Sequence, residues 1–293
     1  MYVQSWSLRR LRALIGGKVA FVVGLIAFVA MAWLVERELG LKTPVAFGPV
    51  LALVIAGVPA ALWLGFFYLW DRHEPEPKHF VAGVFVLGIL VAGPLADFLL
   101  AQAVPSIGLE QIGGPWALDQ IVYSVFVVGI AQEICKYAAV RYTIYLSDEF
   151  DEPMDGVLYM MAVGTGFAVW VNYHRLSGQG HKAFLATGAA SVVITTLAHA
   201  SFAGALGYVM GRIKFSRRSA TFRGVMLFIG LLAAAGLNGQ FALVEAWISN
   251  AGMAQRPWRG MIYAAGVAIA AFVLLMFAAQ RLLRESPFRK ENV

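Results

Sequence analysis

Glu133 and Lys136 lie within the stretch GIAQEICKYAAV, in a run of mostly apolar residues. A carboxylate in such surroundings can take a proton from water and act as a general base. Glu133 and Lys136 are spaced i and i+3, so on a helix they share one face and can pair. His199 and the amides Asn172 and Asn238 are the other polar side chains deep in apolar runs to which we assign candidate roles.

Apolar runs long enough to cross a bilayer recur along the chain and predict the elements that hold these residues. Of the 293 residues, 60% are hydrophobic and only 14% are charged, whereas a soluble domain has about 25% charged residues. The pattern predicts an all-α polytopic membrane protein, a bundle of about eight transmembrane helices forming a single domain over residues 1–293. The predicted spans are 18–35, 46–70, 80–103, 118–146, 154–174, 184–213, 224–250 and 261–282.

The spans place three of the polar residues at one depth. Glu133, His199 and Asn238 each lie about fifteen residues from the start of their spans, near the bilayer midplane. Asn172 lies about one turn further along span five. Intramembrane ionisable residues face a bundle interior or a water cavity and mark functional sites by default.

A structural role is the competing interpretation of these residues. Glu133 and Lys136 would then form an internal ion pair, and His199 and Asn238 would hydrogen-bond helices together. Asp97 and Glu245 are weaker candidates, because both lie near span ends, where a charged side chain can reach water. Cys135 is the single cysteine and is interpreted as a packing residue.

The distribution of basic residues predicts the orientation. Fifteen lysines and arginines fall in the amino-terminal segment, the connections after spans two and six, and the carboxyl-terminal tail, against six in the other connections. The positive-inside rule therefore places both termini in the cytoplasm. Anionic lipid, rather than nucleic acid, is the expected contact of the basic loops. Asp155, at the start of span five, is expected to cap that helix.

Four motifs in order resemble the PrsW family of intramembrane proteases, distant relatives of the CAAX prenyl endopeptidases. They are DRHEPEP (71–77), QEICK (132–136), FDEPMDGVLYMMAVGTGFAVWVN (150–172) and HASFAGALGYVMGR (199–212), within a region of about 60–245. The resemblance implies an integral protein of a bacterial inner membrane, with candidate catalytic residues Glu133, Lys136, Asn172, His199 and Asn238. It leaves metal dependence open.

The chain departs from that family pattern at three positions. Gln132 replaces the first glutamate of EExxK, Val171 replaces the glutamate of GFAxxEN, and Asn238 falls where the family has a histidine. A catalytic metal centre requires three protein ligands of carboxylate or imidazole type, and here only Glu133 and His199 are evident. Amides cannot serve as ordinary general bases.

Three functions follow from this sequence. The first is a catalytically weakened or inactive homologue, a pseudoprotease that binds transmembrane helices or a membrane partner. The second is an active intramembrane protease that cuts single-pass membrane proteins with Glu133 as base and His199 or Asn238 stabilising the oxyanion. The third is a transporter or proton relay using Asp97, Glu133, Lys136 and His199, which the absence of an internal repeat disfavours.

Overall fold

The computed structural model describes residues 2–69, 76–106, 121–178, 182–250 and 257–285. In these ranges the chain forms helices and no β-strand beyond one isolated bridge. The α-helices are α1 (Tyr2–Glu38), α2 (Pro49–Tyr68), α3 (Lys78–Leu87), α4 (Gly93–Ser106), α5 (Ile130–Arg141), α6 (Pro153–Ser177), α7 (Leu185–Lys214), α8 (Ala220–Asn250) and α9 (Pro257–Glu285).

Eight helical segments of the described chain are long and apolar enough to cross a membrane, which confirms the predicted all-α polytopic bundle. They differ from the predicted spans mainly at span four, which runs over Tyr123–Arg141. A turn and a short 3-10 helix, Ile144–Leu146, follow it, so the predicted end at 146 is wrong. Residues 118–120 of that prediction lie outside the described ranges.

Helices α6 and α7 form the centre of the bundle. In α6, 89% of the most apolar stretch is buried inside the protein, against 6% in α1. Small residues allow the close approach of the two helices: a Cβ at Gly164 would lie 2.6 Å from the carbonyl oxygen of His199. Near the start of α6, Gly156 and Gly207 meet backbone to backbone in the same way. This close packing shields the central helices from lipid.

In the described part of the chain, two π-helical segments interrupt the outer spans. Gly88–Ala92 joins α3 to α4, and Tyr123–Gly129 leads directly into α5. Such segments occur mostly as single turns within longer helices, often near functional sites. The second one ends at Gly129, four residues before Glu133.

The two ends of the bundle differ. We call the end that carries the α7–α8 connection, residues 215–219, the basic end. At the opposite end, Glu36 of α1 accepts a hydrogen bond of 3.0 Å from the backbone N–H of Ala186, in the first turn of α7. Beside it, Val45 and Ala183 form an isolated antiparallel bridge. These contacts tie α1 and the α1–α2 connection to the start of α7.

Candidate functional site

A buried ion pair occupies one face of α5. Lys136 Nζ donates a hydrogen bond to Glu133 Oε1 at 2.5 Å, and both side chains are completely buried. The Lys136 ammonium also lies 4.6 Å from the centroid of the Phe167 ring of α6, in a cation–π contact. Because both charges are out of water, each depends on the other for compensation.

Asn238 of α8 joins this ion pair from the other side. Its Nδ2 donates hydrogen bonds of 2.9 Å to Glu133 Oε1 and to Gln132 Oε1. Glu133 Oε1 therefore accepts from both a cation and an amide. The second oxygen, Oε2, is buried without a hydrogen-bond partner. One oxygen of the Glu133 carboxylate thus accepts from two donors, and the other accepts from none.

Two glycines bring Asn238 within reach of α5. A Cβ on Gly129, at the end of the second π-helical segment, would collide with the backbone of Ala235 in α8. A Cβ on Gly239 would collide with the carbonyl oxygen of Ser124 in the same π-helical segment. The backbones therefore touch on both sides of Asn238, and a short amide side chain is long enough to reach Glu133.

His199 of α7 lies next to this group without a hydrogen bond to it among the described contacts. Its ring packs edge-on against Phe167, with 5.3 Å between the ring centroids. Its side chain is 5% exposed, and Nδ1 has no hydrogen-bond partner. Phe167 therefore contacts both Lys136 and His199. We call Gln132, Glu133, Lys136, His199 and Asn238 the Glu133 cluster.

Asn172 belongs to a different polar group. It is completely buried, accepts a hydrogen bond of 2.9 Å from Arg175 Nη2, and lies 3.5 Å from Thr196 Oγ1. These bonds link α6 to α7 and do not include Glu133. Val171, which stands where the resemblance places a glutamate, packs against the main hydrophobic core.

The weaker candidates take ordinary structural positions. Asp97 is exposed and accepts a hydrogen bond of 2.7 Å from Trp170 Nε1. Glu245 is half-buried, and its carboxylate interacts electrostatically with Arg175. Cys135 is buried at 2% exposure within the main hydrophobic core, in keeping with a packing role.

A second buried polar group lies at the basic end. The sequence analysis did not predict its central contact, a hydrogen bond between Tyr159 and Glu76. Tyr159 of α6 donates a hydrogen bond of 2.5 Å to Glu76 Oε2, from a position 83 residues further along the chain. Glu76 is 4% exposed, and burial raises its pKa above the usual value. The motif DRHEPEP contained Glu76, and a buried carboxylate of this kind needs a donor.

Asp155 completes the start of α6. The backbone N–H of Glu152 donates to Asp155 Oδ2 at 2.7 Å, while the Glu152 side chain accepts from the backbone of Asp155. Pro153 occupies the first turn. Asp155 therefore takes part in capping as the third residue of a reciprocal capping box whose N-cap is Glu152.

The Glu133 cluster does not supply the ligands of a catalytic metal. Within the described ranges, no group of three or more His, Cys, Asp or Glu side chains is placed to hold an ion. Glu133 and His199 are the two candidate ligands, and the Lys136 ammonium occupies Glu133 Oε1, where a cation would have to compete with it. The donor set therefore fits proton transfer and hydrogen bonding better than metal coordination.

Comparison with known proteins identifies the relatives of this chain. The family model described as PrsW family intramembrane metalloprotease matches residues 76–279. Protease PrsW of Geobacillus kaustophilus is 31% identical over 166 residues, covering 56% of this chain and 68% of that protein. Protease PrsW of Bacillus subtilis is 28% identical over 203 residues, covering 68% and 85%.

A more distant relative extends the comparison. Protease PrsW of Clostridioides difficile is 25% identical over 199 residues, covering 65% of this chain and 77% of that protein. No solved structure matches the chain significantly. The family model spans α3 to α9 and includes every residue of the Glu133 cluster, so the chain belongs to the PrsW family.

Proposed function

We propose that this chain is a PrsW homologue with weak or no proteolytic activity, in which the polar centre serves helix packing and the binding of transmembrane helices or a membrane partner. One observation carries the proposal: Glu133 is the single carboxylate of the Glu133 cluster, and its Oε1 already accepts from Lys136 and Asn238. The second glutamate position of the family pattern is Val171, which packs in the core.

The chemistry of peptide hydrolysis explains why this arrangement is weak. An attacking water needs a base to take its proton or a metal to lower its pKa. Gln132 and Asn238 hydrogen-bond to one another and cannot act as bases. The family description includes a metal, but the donors in the described ranges do not make a three-ligand site. Loss of a general base typically costs about 10²–10⁴-fold in rate.

A specific observation favours a second candidate, an active intramembrane protease. Glu133 Oε2 and His199 Nδ1 are both buried without hydrogen-bond partners. An unpartnered carboxylate oxygen could accept the proton of a water molecule, and the imidazole or the Asn238 amide could stabilise the oxyanion formed at the substrate carbonyl. Such a protease would cut single-pass proteins within or beside the membrane.

We infer further that the protein lies in a bacterial inner membrane with both termini in the cytoplasm. Support comes from the fifteen-to-six division of basic residues and from bacterial relatives named Protease PrsW. On this orientation the basic end faces the cytoplasm.

A cleavage assay separates the two candidate activities. The wild type, Glu133→Gln and the triple variant Gln132→Glu/Val171→Glu/Asn238→His are expressed with a panel of tagged single-pass proteins. Protease PrsW of Bacillus subtilis serves as the positive control for the panel, and Gly236→Ala, which adds a Cβ in open space, controls for substitution in α8.

The expected result is cleavage by the positive control and by the triple variant, but not by the wild type. Wild-type cleavage that Glu133→Gln abolishes would overturn the proposal in favour of the active protease. Recovery of intact panel proteins with the wild type in bilayer discs tests the binding role. Wild type that neither cleaves nor retains any panel protein would contradict that role.

A further inference from the structure

A pocket of about 550 Å³ opens at the basic end, where α7 ends and α8 begins. Two arginines, Arg212 and Arg218, line it together with Ser216. Its other walls include Phe215, Phe222 and Met226. The pocket therefore combines two cationic side chains with an apolar floor, at the level where a span leaves the bilayer.

The charges around the pocket favour an anion. Among the residues that the structure describes, no carboxylate lines it. Lys214 points to the nearby acidic loop, where its Nζ donates to the carbonyl oxygens of Tyr145 at 2.9 Å and Phe150 at 2.6 Å. Lys214 also interacts electrostatically with Asp148 and Asp151. Arg212 and Arg218 are both solvent-exposed at the pocket and so can meet an external ligand.

A second cavity lies beside the pocket, further along α7 toward the middle of the membrane. Tyr208 lines both the pocket and this second cavity, of about 460 Å³, between α7, α8 and α9. Ala205, Leu237 and Leu274 are typical of the lining of this second cavity, which is almost entirely apolar. It reaches Ser201, eleven residues before Arg212 on α7. At 1.5 Å per residue this is about 16 Å, close to half of a hydrocarbon core about 30 Å thick.

We propose that one anionic phospholipid of the membrane binds here, with its headgroup phosphate between Arg212 and Arg218 and an acyl chain along the cavity that ends at Ser201. A free phosphate would use the arginines and leave the apolar cavity unfilled. An acidic peptide has no apolar chain of that length to place between helices. A phospholipid matches both parts, because basic pockets between spans at the cytoplasmic face are suited to acidic headgroups.

The position of the cavity gives the lipid a place near the functional residues. Ser201 is two residues after His199 on α7, and Leu237 precedes Asn238 on α8. The end of the acyl chain therefore lies at the depth of the Glu133 cluster, although Ser201 and His199 point to different sides of α7. Binding of the lipid does not depend on whether the chain is a protease, so it can be tested separately from the proposed function.

The test measures lipid binding to the purified full-length protein. Phosphatidylglycerol and phosphatidylcholine are titrated into the detergent-solubilised wild type, and bound lipid is counted by native mass spectrometry. The pocket variant is Arg212→Gln/Arg218→Gln. The matched control is Arg217→Gln/Arg223→Gln, which removes the same charge from the same end of the bundle at positions outside the lining of the pocket. Ala205→Trp fills the apolar cavity.

The expected result is that the wild type and the control prefer phosphatidylglycerol over phosphatidylcholine. The pocket variant loses about thirtyfold in phosphatidylglycerol affinity, since two arginines near a membrane surface act together. Ala205→Trp weakens lipid binding but not the binding of inorganic phosphate. Thermal melting without lipid shows that each variant is folded.

Three results would overturn the proposal. Equal phosphatidylglycerol binding by the pocket variant and the control would show that the arginines do not form a site. Inorganic phosphate that binds the wild type as well as the lipid does, with no effect of Ala205→Trp on the lipid, would assign the pocket to a free anion. Tighter arginine-dependent binding of a hexaglutamate peptide would assign it to an acidic protein segment.

Discussion

Asn238 donates a hydrogen bond of 2.9 Å to the same oxygen of Glu133 that Lys136 contacts, although 105 residues separate Asn238 from Glu133. This shared oxygen makes the polar centre a structural connection between α5 and α8 as well as a candidate site. The stability of this connection depends on the ion pair, on the glycine contacts beside it and on the burial of the polar side chains. Each of these can be tested separately.

Glu133 and Lys136 should contribute more to the free energy of unfolding as a pair than either charge does alone. Lys136→Met leaves the Glu133 charge buried and uncompensated, and we expect the free energy of unfolding to fall by about 3–5 kcal/mol. The double variant Glu133→Gln/Lys136→Met removes both charges and should lose less. Denaturant unfolding in detergent micelles measures both. A double variant less stable than Lys136→Met would refute the pair.

The glycine beside Asn238 should be required for the contact between α5 and α8. In Gly239→Ala, the new Cβ meets the carbonyl oxygen of Ser124, so we expect the free energy of unfolding to fall by about 1–3 kcal/mol. Gly236→Ala is the control, because its Cβ enters open space. The control should gain up to about 1 kcal/mol from helix propensity. Equal effects of the two substitutions would show that the helices are not in backbone contact.

Glu76 should make the protein less stable as the pH rises. Burial raises its folded-state pKa above 4.5, so its contribution is complete below the pKa of the unfolded chain and is lost as pH rises through the folded value. The pKa of Glu76 is also affected by four neighbouring groups, which are Tyr159, Asp155, Asp151 and Glu149. The melting temperature in detergent is therefore expected to fall with rising pH, and Glu76→Gln should flatten that slope.

The matched control for this pH dependence is Asp148→Asn, which removes an exposed carboxylate of the neighbouring loop that is not among the groups acting on Glu76. It should leave the slope close to that of the wild type. If Glu76→Gln keeps the full slope or steepens it, titration of Glu76 does not contribute to the effect.

Both termini should lie on the cytoplasmic side of the membrane. Cys135 is the single cysteine and is buried, so Cys135→Ala followed by new single cysteines gives a clean set of reporters. A cysteine after Val293 and one at Ser216 should react with a membrane-impermeant thiol reagent only after the cells are opened. A cysteine at Lys42 should react in intact cells. The reverse pattern would refute the orientation.

The helical framework could be predicted from the sequence because lipid demands long apolar runs. Depth counting also placed Glu133 and Asn238 at a common level, where the structure shows their hydrogen bond. The prediction required only a rise of 1.5 Å per residue and span limits accurate to about a turn. Polar residues in spans were informative because so few are tolerated there.

Other contacts could not be predicted in this way. Asn172 is close to the same depth but bonds to Arg175 and Thr196, because depth alone does not determine which neighbour a helix faces. The π-helical segment before α5 packs against α8 through Gly129 and Gly239, and no hydrophobic period in the sequence predicted it. The contact between Glu76 and Tyr159 joins a connection to a distant helix, which apolar periodicity cannot reveal.

The central position of α6 has a consequence for biosynthesis. Its most apolar stretch has a mean hydropathy of 1.4, against 2.4 in α1 and α9. The ribosome makes α6 before α7, the helix with which α6 has its most extensive contact in the folded protein. Only residues 178–184 separate α6 from α7, so the two can enter the bilayer together as a hairpin. A span of low hydropathy that is largely covered in the folded protein then need not remain in lipid without its partner.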